Sequence, residues 1–127
     1  MRKPRILIAD DDTMVRIGLK TVINWEENGF VLVGEAANGL EAMQLVQEKK
    51  PDIVITDIKM PCMDGIELIR QLRQQSTPPE ILVLSSYDEF ELVKQALKLG
   101  ARDYLLKLNL NPEELLHSLR AIAAENA

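Results

Sequence analysis

Cysteine, histidine and tryptophan each occur once in this 127-residue chain, and aromatic residues make up only 4% of it. A single cysteine, Cys62, excludes an internal disulfide and suits a reducing cytoplasm. No partner for metal or nucleophile chemistry lies near Cys62 in sequence, so it reads as a thiol in a loop. An excess of basic charge is also missing. The net charge of -5 argues against nucleic-acid binding by the chain itself, because phosphate contacts need clustered Lys and Arg. Long apolar runs are absent too. Nothing approaches the roughly 20 residues of a membrane span. The apolar part of the N-terminus, Ile6 to Ala9, is too short for a signal peptide. No internal repeat, low-complexity segment or linker interrupts the chain. What remains is a mix of 46% hydrophobic and 28% charged residues, the composition of a globular protein at the size of one domain spanning residues 1–127.

Short apolar runs alternate with longer amphipathic stretches. The runs are Arg5–Ala9, Val31–Ala36, Ile53–Thr56, Ile81–Leu84 and Tyr104–Leu106. Most are continuous in Ile, Val and Leu, as expected of strands buried on both faces of a parallel sheet. Between them Leu40, Met43, Leu45 and Val46, and then Leu92, Val93, Ala96 and Leu97, recur at helical spacing and are assigned to the core. Strand then helix, five times over, predicts a parallel sheet with helices on both faces. Asn38, Asp64, Ser86 and Asn111 each stand three residues before a glutamate, the pattern of a capping box or its Asx relative. Pro112 suits a first helical position, and Gly100 a left-handed helix stop. Trp25 is expected to pack at the end of the first helix. His117 is expected at the surface or half-buried on the last helix.

Ligands of an open parallel α/β sheet bind beyond the carboxyl ends of its strands. After the first run come Asp10, Asp11 and Asp12; after the third comes Asp57; after the fourth come Ser85 and Ser86; after the fifth comes Lys107. Carboxylates from two strands can share a hard divalent cation such as Mg2+, which takes oxygen ligands and keeps several waters. The cation also explains how clustered carboxylates stay ionised together. A hydroxyl and an ammonium across from them suit the oxygens of a phosphoryl group. Asp12 reads as the cap of the helix beginning near Thr13, and Ser86 as a cap completed by Glu89. Met14 stands beside the rim, where packing accounts for it as well as control of access does.

In order and each at a strand end, Asp10-Asp11, Asp57 with MPCMDG behind it, Ser85, Lys107 and Tyr104 closely resemble the receiver domain of two-component response regulators, over essentially the whole chain. The resemblance implies a flavodoxin-like (βα)5 fold with strand order 2-1-3-4-5. It implies that Asp57 accepts a phosphoryl group from a phosphohistidine on a sensor histidine kinase. Mg2+ is then held by Asp11, Asp57 and the backbone carbonyl of Lys59, with Asp10 acting through water. Ser85 and Lys107 bind the phosphoryl oxygens, and Tyr104 is the aromatic switch position. The surface that changes is the fourth helix, fifth strand and fifth helix, a face open to homodimerisation. Apart from self-phosphorylation and slow hydrolysis of the aspartyl phosphate, no enzymatic turnover is implied. NWEENGFVLVGEAANG and LSSYDEFELVKQALKLGARDYLLK look like the receivers of AraC-type transcription factors. That likeness makes the chain the N-terminal piece of a longer regulator, touching DNA only through a C-terminal module absent from this chain.

One departure stands out. Receivers usually follow the strand-five lysine with proline in a cis peptide, whereas Lys107 is followed by Leu108. A non-proline cis bond costs about 2.5–4 kcal/mol. The bond is therefore either trans, with a rerouted loop, or cis under strain. Lys107 is still expected to face Asp57, since a buried lysine lacking that partner is expensive. Two other functions compete. A phosphatase of the haloacid dehalogenase kind would use Asp10 and Asp12, but Met14 occupies its threonine position and Thr13 comes one residue early. A receiver acting unphosphorylated, as an interaction module, is favoured only by Leu108.

Overall fold

The computed structural model describes residues 2–108 and 110–125, so the domain limits expected at 1 and 127 lie outside the described residues. The strands are β1 (Arg5–Ala9), β2 (Val31–Ala36), β3 (Ile53–Asp57), β4 (Glu80–Ser85) and β5 (Asp103–Leu106). The helices are α1 (Thr13–Val22), α2 (Gly39–Lys49), α3 (Gly65–Leu72), α4 (Phe90–Leu99) and α5 (Pro112–Glu125). The sheet runs β2-β1-β3-β4-β5, every neighbour parallel, as a strand–helix rhythm requires. The apolar runs located all five strands. Three of them gain one or two polar end residues, Asp57, Glu80 with Ser85, and Asp103, which pair in the ladder although hydrophobicity alone gives no sign of it.

Alternation along the strands creates two cores. Leu7 and Ala9 of β1, Val54 of β3, and Ile81 and Val83 of β4 join one cluster with Ala42, Val46, Leu68, Ile69, Val93 and Ala96 of α2, α3 and α4. Ile6 and Ile8, Ile53 and Ile55, Leu82 and Leu84, and Leu105 form the other with Leu19 of α1 and with Leu115, Leu119 and Ile122 of α5. Extending the two-residue period by one step places Asp10, Asp57 and Lys107 on the α1–α5 side of the sheet, beyond Ile8, Ile55 and Leu105. Ser85 continues the row of Ile81 and Val83, on the other side. The core assignment fails for Leu40 and Leu97, which are 54% and 38% exposed. Their neighbours Ala42, Val46, Val93 and Ala96 fill the sheet-facing stripe, and each helix can bury only about a third of its circumference. Trp25 packs where expected: it is buried at the end of α1 and donates Nε1–H to the carbonyl of Leu19 at 3.1 Å.

Three of the four expected helix starts form. The side chains of Asn38, Asp64 and Asn111 accept from the backbone N–H of Glu41, Glu67 and Glu114 at 2.9, 2.9 and 3.1 Å. Ser86 is the correction. It caps nothing: α4 begins only at Phe90, and Glu89 is its cap residue with no side-chain cap bond. Instead the backbone N–H of Ser86 donates to the carboxylate of Glu89 at 2.7 Å, which ties a turn ahead of the helix. Gly100 does end α4 in the left-handed region, at φ 119°.

Gly65, the first residue of α3, touches the backbone at the end of β3. Its N–H donates to the carbonyl of Ile58 at 2.7 Å, and a Cβ added there would lie 2.1 Å from the carbonyl oxygen of Asp57. Gly65→Ala is therefore expected to lower unfolding free energy by about 3 kcal/mol, the upper range of overpacking, because a backbone atom cannot rotate away. Urea unfolding checks this, and a loss below about 1 kcal/mol would show that α3 can slide without penalty.

Candidate functional site

Four strand ends supply the candidate residues. Asp10, directly after β1, is fully buried. Its N–H donates to the Ala36 carbonyl of β2 at 3.0 Å. Its Oδ1 accepts from the N–H of Asp12 at 2.9 Å. Asp57 closes β3, is 4% exposed, and accepts from the N–H of Ile58 through Oδ1 at 2.8 Å. Lys107 comes straight after β5, and its Nζ lies 2.9 Å from Asp10 Oδ2 and 2.9 Å from Asp57 Oδ2. Carboxylate oxygens of Asp10, Asp11 and Asp57 all lie within 4.8 Å of one another, with Asp11 exposed at the rim.

The missing proline does not misdirect Lys107. No cis peptide occurs among the described residues, so Lys107–Leu108 is trans. The N–H of Lys107 donates to the Ser85 carbonyl at 2.9 Å, one step beyond the β4–β5 ladder. The strand alternation thus fixes the side-chain direction before the chain reaches Leu108, which is 76% exposed.

The electrostatics are those of crowded like charges. Burial pushes the Asp57 carboxyl up from 3.8 to about 6; the Lys107 ammonium opposes this and the neighbouring Asp10 charge adds to it. Burial by itself would lower Lys107, but Asp57 and Asp10 outweigh it and the ammonium is held above its ordinary value. Three carboxylates facing one ammonium leave two negative charges unmatched when all are ionised. Asp10 Oδ2 is buried and has no aligned hydrogen-bond donor beyond the ionic contact with Lys107. A hard dication fits this donor set: all ligand atoms are carboxylate oxygens, and its charge matches the surplus.

Ser85 stands between these groups in the sheet. Asp57 pairs with Leu84, its predecessor, and Leu106 pairs with Ser85 itself. Its Oγ is buried with no hydrogen-bond partner. A hydroxyl in that condition forgoes about 1–3 kcal/mol unless something else uses it. Tyr104 is 43% exposed and lines, with Ser85, Phe90, Lys94 and Leu97, a groove between α4 and the β4–β5 edge. The side chain of Lys59 is exposed. Asp12 caps α1 by accepting from the N–H of Met14 at 2.9 Å and is not in the carboxylate cluster, which removes the second aspartate that a haloacid dehalogenase site needs. Met14 and His117 are exposed, Met14 beside the rim and His117 on α5, and Cys62 is an exposed thiol.

Sequence reasoning brought Asp10, Asp11, Asp57 and Lys107 to one rim. It missed two features. Asp10 touches Lys107 directly, as well as standing among potential metal ligands. Arg16 of α1 holds the carbonyl of Asp10 at 2.6 Å. An arginine six residues after Asp10 carries no signal by itself; only an α1 packed beside β1 and β2 gives it that reach.

Residues 6–120 match the family described as the response regulator receiver domain. The chain is 45% identical over 121 residues to the transcriptional regulatory protein YesN of Bacillus subtilis, covering 95% of this chain and 33% of that protein. Across three of the curated relatives the matched part spans between 33% and 56% of the relative's length. The receiver domain of AraT, a response regulator from Geobacillus stearothermophilus, superposes with a TM-score of 0.88 at 33% identity, covering 96% of this chain and 94% of that one. The signal receiver domain of NarL from Mycobacterium tuberculosis gives 0.87 at 31% identity, covering 98% of both.

Proposed function

This chain belongs to the response regulator receiver domain family, and from that premise we propose that it is a phosphorylation-driven switch whose acceptor is Asp57. The observation that carries the reading is the shared contact of Lys107 with Asp10 and Asp57, at 2.9 Å each, beside a carboxylate cluster. A carboxylate oxygen of Asp57 attacks the phosphorus of a phosphohistidine on a histidine kinase. The O–P bond forms as the N–P bond breaks, and the imidazole nitrogen leaves with its electron pair on the kinase. Asp11, Asp57 and the Lys59 carbonyl are the residues that would hold Mg2+, with Asp10 reached through water. When bound, the ion would neutralise the charge that builds on the phosphoryl oxygens. Lys107 releases its ionic contact with Asp57 and follows the new negative charge. The Ser85 hydroxyl donates to another phosphoryl oxygen.

The consequence for signalling follows from Ser85. Satisfying a buried, unpartnered hydroxyl favours the arrangement in which the β4–α4 turn moves toward Asp57. Tyr104 shares the groove next to that turn, so its exposed ring responds to the space vacated. Phe90, Leu97 and Tyr104 already expose apolar surface on the α4–β5–α5 face, which supports that face as the output surface and a route to homodimers. The output itself is transcription, through a C-terminal DNA-binding module of AraC type in a longer protein. The chain matches only part of the length of its relatives, and they carry transcriptional names. Among the described residues, no helix is long and apolar enough to cross a membrane.

Labelling with acetyl phosphate and Mg2+ tests the acceptor: one phosphoryl group per chain is expected at Asp57, and turnover of a generic phosphate ester instead would return the phosphatase reading. A second measurement tests the switch. Ser85→Ala should not lower stability and should raise it by up to about 1–3 kcal/mol, since it removes a buried hydroxyl that bonds nothing. Labelling should persist, but the change in hydrogen exchange over residues 86–106 that accompanies phosphorylation should disappear. An unaltered exchange response would separate Ser85 from the switch.

A further inference from the structure

Asp11 is exposed and its carboxylate has no hydrogen bond or ion pair among the described residues. No side-chain partner directs it, so the constraint on where it can reach is the position of its backbone. That backbone is held from both sides. The N–H of Asp10 donates to Ala36 of β2 at 3.0 Å, and the carbonyl of Asp10, which begins the Asp10–Asp11 peptide, accepts from Arg16 Nη1 at 2.6 Å. The same guanidinium donates through Nε to Glu35 Oε1 at 2.8 Å and through Nη2 to Thr13 Oγ1 at 3.3 Å. Its three donors thus join the start of the acidic loop, the first turn of α1 and the end of β2. The Arg16 side chain is 15% exposed, so solvent competes weakly for these bonds. Glu35 is anchored in turn by Lys20, whose Nζ donates to Oε2 at 2.5 Å.

We propose that Arg16 is a positioning residue for the cation site, holding the Asp10–Asp11 peptide so that the Asp11 carboxylate meets a divalent cation already oriented. The proposal rests on the receiver reading of the carboxylate cluster. An ordinary ion pair between α1 and β2 is the competing account, since Arg16, Lys20 and Glu35 would make one without any bearing on the site. Two physical points separate them. The bond to Asp10 goes to a backbone carbonyl rather than to a charged partner. And a planar fork can serve three acceptors on three elements, which a lysine ammonium at the end of a flexible stem cannot. Coulomb's law also works against the expected outcome: removing a cation beside the Asp10–Asp11 peptide should tighten binding of Mg2+, so a loss of affinity must come from lost orientation.

The test is calorimetric titration of the unphosphorylated domain with MgCl2, with thermal melts in EDTA alongside. Arg16→Lys keeps the charge and should weaken Mg2+ binding about tenfold, in the range found when a group that orients a metal ligand is removed. Arg16→Ala should weaken it at least as much despite the favourable charge change. Lys20→Met breaks the outer ion pair while leaving the Asp10 carbonyl held, and should stay within about twofold of the parent. Asp11→Asn is the reference for loss of a ligand. Arg16 variants that melt lower in EDTA yet bind Mg2+ like the parent would overturn the proposal, and so would an equal loss of affinity in Lys20→Met. Failure of the parent protein to bind Mg2+ would overturn the reading of the cluster itself, and this inference with it.

Discussion

Asp57→Asn is expected to abolish phosphoryl labelling completely and, in the same protein, to make the metal-free domain more stable at neutral pH. The amide is a poor nucleophile, so the first effect is all or none. The second follows from burial. The Asp57 carboxyl is raised from 3.8 to about 6, so the folded domain holds a proton that the unfolded chain has already released between those values. Its contribution to stability is fully present below 3.8 and is lost as pH rises through about 6. Above that, folding keeps an ionised carboxylate in a place that disfavours it, worth up to about 3 kcal/mol. Asparagine has no charge to bury. The variant and the parent should therefore converge in acid and separate through pH 6, with the variant more stable above it. Saturating Mg2+ should close part of the gap, because the parent keeps all three carboxylates of the cluster and gains more from binding the ion than the variant does. Urea unfolding across pH, with EDTA and with Mg2+, reads all of this. A gap that does not change with pH would place its origin outside the Asp57 charge.

Lys107→Ala acts in the opposite direction. It removes the ammonium that lies 2.9 Å from both Asp10 and Asp57 and leaves two buried carboxylates facing each other. Breaking a buried ion pair from one side typically costs about 3–5 kcal/mol. Two partners are stranded here, so the upper end is expected at pH 8 in EDTA. The deficit should shrink on acidification, as one carboxylate of the pair takes up a proton, and also on adding Mg2+, which restores positive charge. Labelling at Asp57 should survive in reduced amount, because Asp57 itself and the carboxylates of Asp10 and Asp11 remain. A variant as stable as the parent in EDTA at pH 8 would mean that the carboxylates are relieved by some other group.

These two substitutions bear on the features that were least and most legible in the sequence. Asp57 could be read directly: an aspartate ending an Ile-Val-Ile-Thr run, before a turn and a helix, is a strand-end carboxylate by local pattern. Lys107 could be located and its partner Asp57 expected, but the backbone route that aims it hung on the peptide that follows. The structure resolves the point with one backbone bond, Lys107 N–H to the Ser85 carbonyl, made to the end of β4, which is local in sequence to neither Asp10 nor Asp57. Ser86 shows the same limit from the other side. Its spacing to Glu89 satisfies the capping-box pattern, yet the chain spends those residues on a turn, and only the reverse half of the box forms. Local spacing says which bonds are possible; the entry angle of α4 against the sheet decides which are made.

Strand–helix alternation, the depth of the core strands and the set of polar groups delivered to one rim all follow from the order of residues. Those are consequences of hydrophobic period and of strand ends, which are local properties. Packing of the folded chain is what pairs Asp10 with Lys107, leaves Leu40 and Leu97 outside the core, and lets Arg16 grip the backbone between two potential metal ligands. Each depends on the twist and packing that bring distant segments within about 3 Å, and a hydrogen bond or ion pair is made or lost over a fraction of that distance.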